Sequence, residues 1–194
     1  MSDLKNRNDI SAEYSRSIDQ KSGEICTDQS DSQAISFQPD RLLDHAWIAR
    51  HIPHQGSMCL LDYVEVWDEQ HIQCRASSHR TADNPLRAYG RLGAACGIEY
   101  AAQAMAVHGA LLAPPDSINA RVGYLVSVRG TQLHVLRLDD IIADLLVEAT
   151  CITRNGSTFL YQFTISAAGY LLLDGRAAVM LNADLLTPIS GDIP

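Results

Sequence analysis

Gly93-Ala-Ala-Cys-Gly-Ile-Glu99-Tyr-Ala-Ala-Gln103-Ala-Met-Ala-Val-His108-Gly-Ala-Leu-Leu112 carries one charged residue, Glu99, in a run of about twenty. The run reads as an Ala-rich helix, apolar nearly all round, so something must cover it on most sides. A carboxylate in such surroundings costs several kcal/mol unless it holds a proton or has a dedicated neighbour. Either condition describes a carboxyl group able to act as an acid near neutral pH. The alternative is a Glu that reaches solvent or caps a loop.

Outward from this helix the chain alternates. Asp44 to His51 reads as a short helix that stops at Pro53. In Leu60 to Trp67, Tyr63, Glu65 and Trp67 alternate with Val64 and Val66, a strand signal, and His71 to Ser78 follows as a second strand. Beyond Pro114-Pro115-Asp116, which ends the long helix, four more strands are expected: Arg121 to Val128, Asp144 to Thr153, Thr158 to Ala167 and Tyr170 to Leu181. Asn155-Gly156 signals a hairpin, Ala168-Gly169 a second turn, and Asp174-Gly175 a bulge. Residues 1–38 are Ser-, Asp-, Asn- and Gln-rich and read as a polar flexible tail; residues 39–194 form one domain. One antiparallel sheet curled around a central helix satisfies this order, an α+β hot-dog fold. Such units usually pair edge to edge, so a homodimer is expected, with a higher oligomer or a heterodimer as alternatives.

Composition narrows the function. A net charge of −8 and a pI near 5.2 oppose binding to nucleic acid or anionic lipid. No apolar stretch is long enough to span a bilayer and no secretory leader is evident, which predicts a cytoplasmic protein. The five cysteines have no zinc spacing and read as reduced, mostly structural thiols; Cys96, one turn before Glu99, is a small buried residue rather than a nucleophile. No metal and no organic cofactor is signalled.

Ile52-Pro53-His54-Gln-Gly-Ser-Met58-Cys-Leu60-Leu61-Asp62 resembles the segment that precedes the first long strand in 3-hydroxyacyl-[acyl-carrier-protein] dehydratases. Ile98-Glu99-Tyr-Ala-Ala-Gln103 resembles the Glu-x-x-Ala-Gln helix of that family, whose Glu is catalytic. The common bacterial members carry a loop His fourteen residues before this Glu; here Pro85 stands in that place. The dehydratases of aryl-polyene pathways also lack it, and the chain is more similar to them, including Gly123-Tyr-Leu125-Val-Ser-Val-Arg129.

The resemblance implies water loss from a 3-hydroxyacyl thioester, carried by acyl carrier protein or coenzyme A. That reaction needs a base for the Cα proton, an acid for the hydroxyl, and a donor for the thioester oxygen. Neutral His54 is the candidate base and protonated Glu99 the candidate acid. His79, in the loop before the helix, is the rival base. Gly90, Gly93 and Gly97 lie at or near the helix N-terminus, where free N–H groups make an oxyanion site. Asn84 and Gln103 complete the expected substrate-binding set. Gln103 shares the face of Glu99 and orients it or bonds a neighbouring loop. His108 lies about 180° around the helix from Glu99 and points away. Arg91 or Arg129 would meet a phosphopantetheine phosphate, or be solvated charges. Two alternatives remain at this stage: an acyl thioesterase, with Glu99 activating water, and a non-catalytic partner subunit of a dehydratase heterodimer.

Overall fold

The computed structural model describes residues 43–113 and 123–181. Its elements are β1 (Leu43–Asp44), α1 (His45–His51), β2 (Tyr63–Trp67), β3 (His71–Ala76), α2 (Gly97–Leu111), β4 (Gly123–Leu133), β5 (Leu145–Asn155), β6 (Thr158–Ala167) and β7 (Tyr170–Leu181). The seven strands form one sheet in the order β1-β2-β3-β5-β6-β7-β4, every neighbouring pair antiparallel. The two-residue β1, which pairs with β2, is the one described strand the sequence pattern did not signal. Residues 1–38, expected as a tail, and Pro114-Pro115-Asp116 lie outside the described residues.

Period-2 alternation builds the inner face. In β3, Ile72, Cys74 and Ala76 are buried while His71, Gln73 and Arg75 are only partly covered. Val147 and Ala149 of β5 and Phe163 and Ile165 of β6 continue that face, and α2 packs across β3, β5, β6 and β7. This is the central helix of a hot-dog fold. Full burial of an Ile, Leu or Phe side chain contributes about 1.5–3 kcal/mol, and Phe163 and Ile165 are both at or near zero exposure. Small residues let the helix approach the sheet closely. A Cβ on Gly97 would sit 2.6 Å from Leu173 Cδ2 and 3.1 Å from Ile165 Cδ1.

The turns differ in detail from expectation. Ala168 and Gly169, at φ 49° and 81°, form the two-residue loop between β6 and β7, as in a type I′ turn. Asn155 pairs with Thr158, so the loop is Gly156-Ser157 and only Gly156 takes positive φ, at 57°. The bulge expected at Asp174-Gly175 belongs to β4: Arg129 to Gln132 spans the same ladder step as Arg176 to Asp174, and Gly130 takes φ 61°. Gly175 instead admits the ring of Phe163, 2.9 Å from where a Cβ would lie.

Candidate active site

α1 delivers the histidine. Its N-cap Asp44 accepts the Trp47 N–H at 2.8 Å, and Arg50 and His51 fill the last turn, which suits the negative helix end. Gln55 donates Nε2–H to Ala49 O (2.6 Å) and Ile52 O (3.3 Å), folding the chain back just after His54. His45 Nδ1 contacts Leu61 O at 2.8 Å and ties the far end of the same loop to α1.

Gln103 then joins this loop to α2. It is fully buried and accepts Leu60 N–H through Oε1 at 2.8 Å. Its Nε2 donates to Met58 O at 2.8 Å and to Glu99 Oε1 at 3.0 Å. With the loop held, His54 Nε2 lies 3.1 Å from Glu99 Oε1, the two side chains retaining 26% and 31% exposure, enough for a ligand to reach them. Both expectations for Gln103, a loop bond and a bond to Glu99, are thus met at once.

The charge state of Glu99 differs from the one expected. Its pKa is lowered, not raised: the hydrogen bond from His54 is the largest cause, and that from Gln103 adds to it, outweighing desolvation. Glu99 rests as a carboxylate beside His54 Nε2, and His54 Nδ1 is buried with no hydrogen-bond partner among the described residues. The reason is geometric: α2 is apolar, but the face bearing Glu99 meets two donors. Periodicity revealed the apolar helix and not what stood opposite it.

The other expected site residues divide. Asn84 is 5% exposed; its Nδ2 donates to Ser78 O and to the Tyr100 hydroxyl, each at 2.9 Å, and its Oδ1 accepts Leu86 N–H at 3.0 Å. It braces the loop from within and has no polar group left for substrate. Gly97 N–H is taken by Ala94 O, whereas the bridge between Gly93 and Arg137 is made by their neighbours, Ala94 N–H to Leu136 O and Leu138 N–H to Leu92 O, and leaves the Gly93 N–H without a partner among the described residues. Gly90, at φ 73°, follows Tyr89 at φ 52° in an exposed turn closed by Ala88 and Arg91. Among the described residues the N–H of exposed Ala95 is likewise without a partner at this helix end, since Ala94 and Cys96 donate to Leu136 O and Gly93 O. Ala95 is one turn before Glu99 and shares its side of the helix.

His79 is fully buried with Nε2 on Ile141 O at 3.0 Å, which removes it as a rival for contact with Glu99. His108 does point away, to Asp68 O and the Tyr161 hydroxyl. Cys96 Sγ faces Leu86 O, and burial pushes its thiol pKa up, as for a structural cysteine. Arg91 and Arg129 are exposed, the latter directly opposite Arg176. Sequence reasoning missed Asp139 and read Arg87, which precedes the helix, as a solvated charge. Arg87 donates to Thr81 O, His79 O, Gly90 O and Asp139, and Asp139 also accepts Leu92 N–H, so the pair fixes the loop leading into α2. No local pattern signals a contact made across so much chain.

A sequence model of the ApeP dehydratase family matches residues 46–189, which include both His54 and Glu99. The chain belongs to the ApeP-like dehydratase family. As an ApeP-like dehydratase it is a hydro-lyase, and the thioesterase alternative gives way. Among solved structures it is similar to the dehydratase heterocomplex ApeI:P from Xenorhabdus doucetiae, at 21% identity over 71% of this chain and 93% of that one, with a TM-score of 0.63. Two thioesterases align more loosely, both over 61% of this chain. One is a variant of PA1618 from Pseudomonas aeruginosa, at 13% identity, 79% of that chain and a TM-score of 0.45. The other is a variant of SAV0944 from Staphylococcus aureus, at 14%, 90% and 0.47. No curated protein matches the chain. Among the described residues, no helix is long and apolar enough to cross a membrane, and no cluster of three His, Cys, Asp or Glu side chains is placed to hold a metal ion.

Proposed function

We propose that this ApeP-like dehydratase removes water from 3-hydroxyacyl thioesters, with His54 and Glu99 as the working pair. The observation that carries the reading is the 3.1 Å approach of His54 Nε2 to Glu99 Oε1 at a position a ligand can reach. Elimination needs a group to take the Cα proton and a group to protonate the departing hydroxyl. A carboxylate beside an imidazole supplies both within one cycle: the proton leaving Cα departs with the hydroxyl as water, and the pair ends as it began. The Ala95 N–H, one turn along the same side, is the donor for charge growing on the thioester carbonyl. Of the expected binding set, Gly93 and Gly97 shape the helix start that presents this amide, and Asn84 and Gln103 hold the surrounding loops.

The acyl group is carried on acyl carrier protein, in fatty-acid or polyene-type biosynthesis in the cytoplasm. A second subunit completes the assembly. Among the described residues β4 pairs only with β7, which leaves an eleven-residue edge with Tyr124, Leu125 and Val126 exposed. Such an edge invites another strand, and we assign it to a second copy of the chain; a homologous dehydratase subunit is the competing occupant.

The test is incubation with a 3-hydroxyacyl thioester. Growth of conjugated enoyl absorbance, lost in Glu99→Gln, supports the reading. Release of free thiol, or binding without turnover by the purified homo-oligomer, refutes it.

A further inference from the structure

Strand pairing sets five polar side chains in one row on the face of the sheet turned away from α2. His71 of β3 lies opposite Thr150 of β5, and Thr150 opposite Gln162 of β6. Gln162 in turn lies opposite Arg176 of β7, and Arg176 opposite Arg129 of β4. Residues directly opposite share a face. Gly175 and Ala177, the neighbours of Arg176 in the chain, are buried, so the row points outward. Thr150, Gln162, Arg176 and Arg129 are exposed.

The row ends in two arginines side by side. Like charges directly opposite destabilise a strand pair. The chain has 23 Asp and Glu against 15 Lys and Arg, yet neither guanidinium has an ion pair or hydrogen bond among the described residues. Acids stand close by, but they are committed to other groups. Asp174, two residues from Arg176 on the same face, lies 2.8 Å from His134 Nε2. Glu148 accepts from Gln73 Nε2 at 2.8 Å and from Thr164 Oγ1 at 3.1 Å. The arginine pair is thus left for an anion from outside. Two adjacent guanidinium forks match the oxygens of a phosphate, which arginine binds through paired hydrogen bonds.

From the arginines the row leads into a groove. His71, Thr150 and Gln162 line a depression of about 270 Å³, with Glu148, Ile152 and Thr164 completing its wall. At a strand spacing of about 4.8 Å, Gln162, Thr150 and His71 lie about 5, about 10 and about 14 Å from Arg176. An amide, a hydroxyl and an imidazole at those distances bond hydroxyl groups rather than an aliphatic chain.

We propose that this row is a second binding site, which takes a small phosphate monoester with a hydroxylated body. The phosphate sits between Arg129 and Arg176, and the body lies along Gln162 and Thr150. The site is on the opposite face of the sheet from α2, which carries Glu99, and it is independent of the elimination. Pairing of another strand with β4 would use backbone groups in the plane of the sheet and leave these outward side chains free.

Ribose 5-phosphate is the probe, titrated into the 194-residue chain and followed by ¹H–¹⁵N NMR of the arginine Nε–H groups. The signals of Arg129 and Arg176, assigned by their loss in Arg129→Gln and Arg176→Gln, shift along a saturable curve. Each of these variants weakens binding about tenfold or more, the scale of one charge-assisted hydrogen bond. Glu99→Gln binds as the wild type does, inorganic phosphate binds more weakly, and ribose alone does not bind. A drift that never saturates, and that chloride reproduces at equal ionic strength, is general charge screening and overturns the proposal. Unchanged affinity in both arginine variants overturns it too. Equal affinity for inorganic phosphate and for the ester overturns the placement of a body along Gln162 and Thr150. Thermal unfolding gives a second reading. Ribose 5-phosphate raises the melting temperature of the wild type, as a ligand selective for the folded state does. An equal rise in the double variant Arg129→Gln/Arg176→Gln places the ester elsewhere and overturns the site.

Discussion

His54 and Glu99, which come from opposite sides of the β2–β3 hairpin in the chain, meet at 3.1 Å because Gln103 staples the loop after α1 to α2. If this pair performs the elimination, Glu99→Gln lowers kcat at least about a hundredfold, the scale of a lost general acid–base group. His54→Ala does the same. Thermal unfolding checks that each variant keeps the fold; wild-type rates in either one remove that residue from the mechanism.

Gly97 distinguishes packing from catalysis. Gly97→Ala places a methyl 2.6 Å from Leu173 Cδ2, and Leu173 is itself fully buried. Overpacking of this kind costs about 1–3 kcal/mol. Gly93→Ala meets nothing within 4 Å, so its effect stays within about 0.5 kcal/mol. Urea unfolding of the two variants measures the difference, and equal stabilities would contradict the packing role.

Asp139 anchors the loop that leads into α2. Its side chain is 5% exposed; Arg137 above all, and then the Leu92 N–H, hold its carboxyl well below the usual range, and Arg87 reaches it as well. Asp139→Ala leaves Leu92 N–H and both guanidinium groups short of an acceptor, for a loss of about 1–3 kcal/mol. Hydrogen exchange at residues 81–93 is the sensitive readout. Protection unchanged from wild type argues that the loop is held by other means.

Stability falls on acidification for two separable reasons. Burial lowers the pKa of His79 and His108 below the ordinary 6.5, so the unfolded chain binds protons first as pH drops through that value, and stability declines from there. Glu99, also lowered, contributes stability that is complete above the unfolded glutamate pKa and is lost as pH falls through the folded one. Denaturation series from pH 7 to pH 4 therefore show a decline beginning near the histidine range. Replacing His108 with Phe flattens that first decline, at the cost of its bonds to Asp68 O and Tyr161.

The open edge of β4 yields a test by mass. Val126→Lys adds a charge where a second copy is proposed to pair, beside exposed Tyr124 and Leu125. Light scattering reports a shift from dimer toward monomer. A wild-type chain that is monomeric at micromolar concentration argues instead for a different subunit on this edge.

Sequence alone determined the order of the elements after β1, the single long apolar helix, and the strands β6 and β7 with their bounds. Each of these rests on short-range information: alternation at period 2, an alanine-rich run, a proline, a glycine turn. Tertiary structure alone decided the rest. Whether Glu99 is charged depended on the Gln103 amide of its own helix and on His54, brought to it by another segment. Asn84 was drawn into the bonds of Tyr100, and Gly97 against Leu173, because burial and close approach are settled by what lies across the fold. An ionisation state is a property of neighbours in space, and neighbours in space are what a one-dimensional pattern records least.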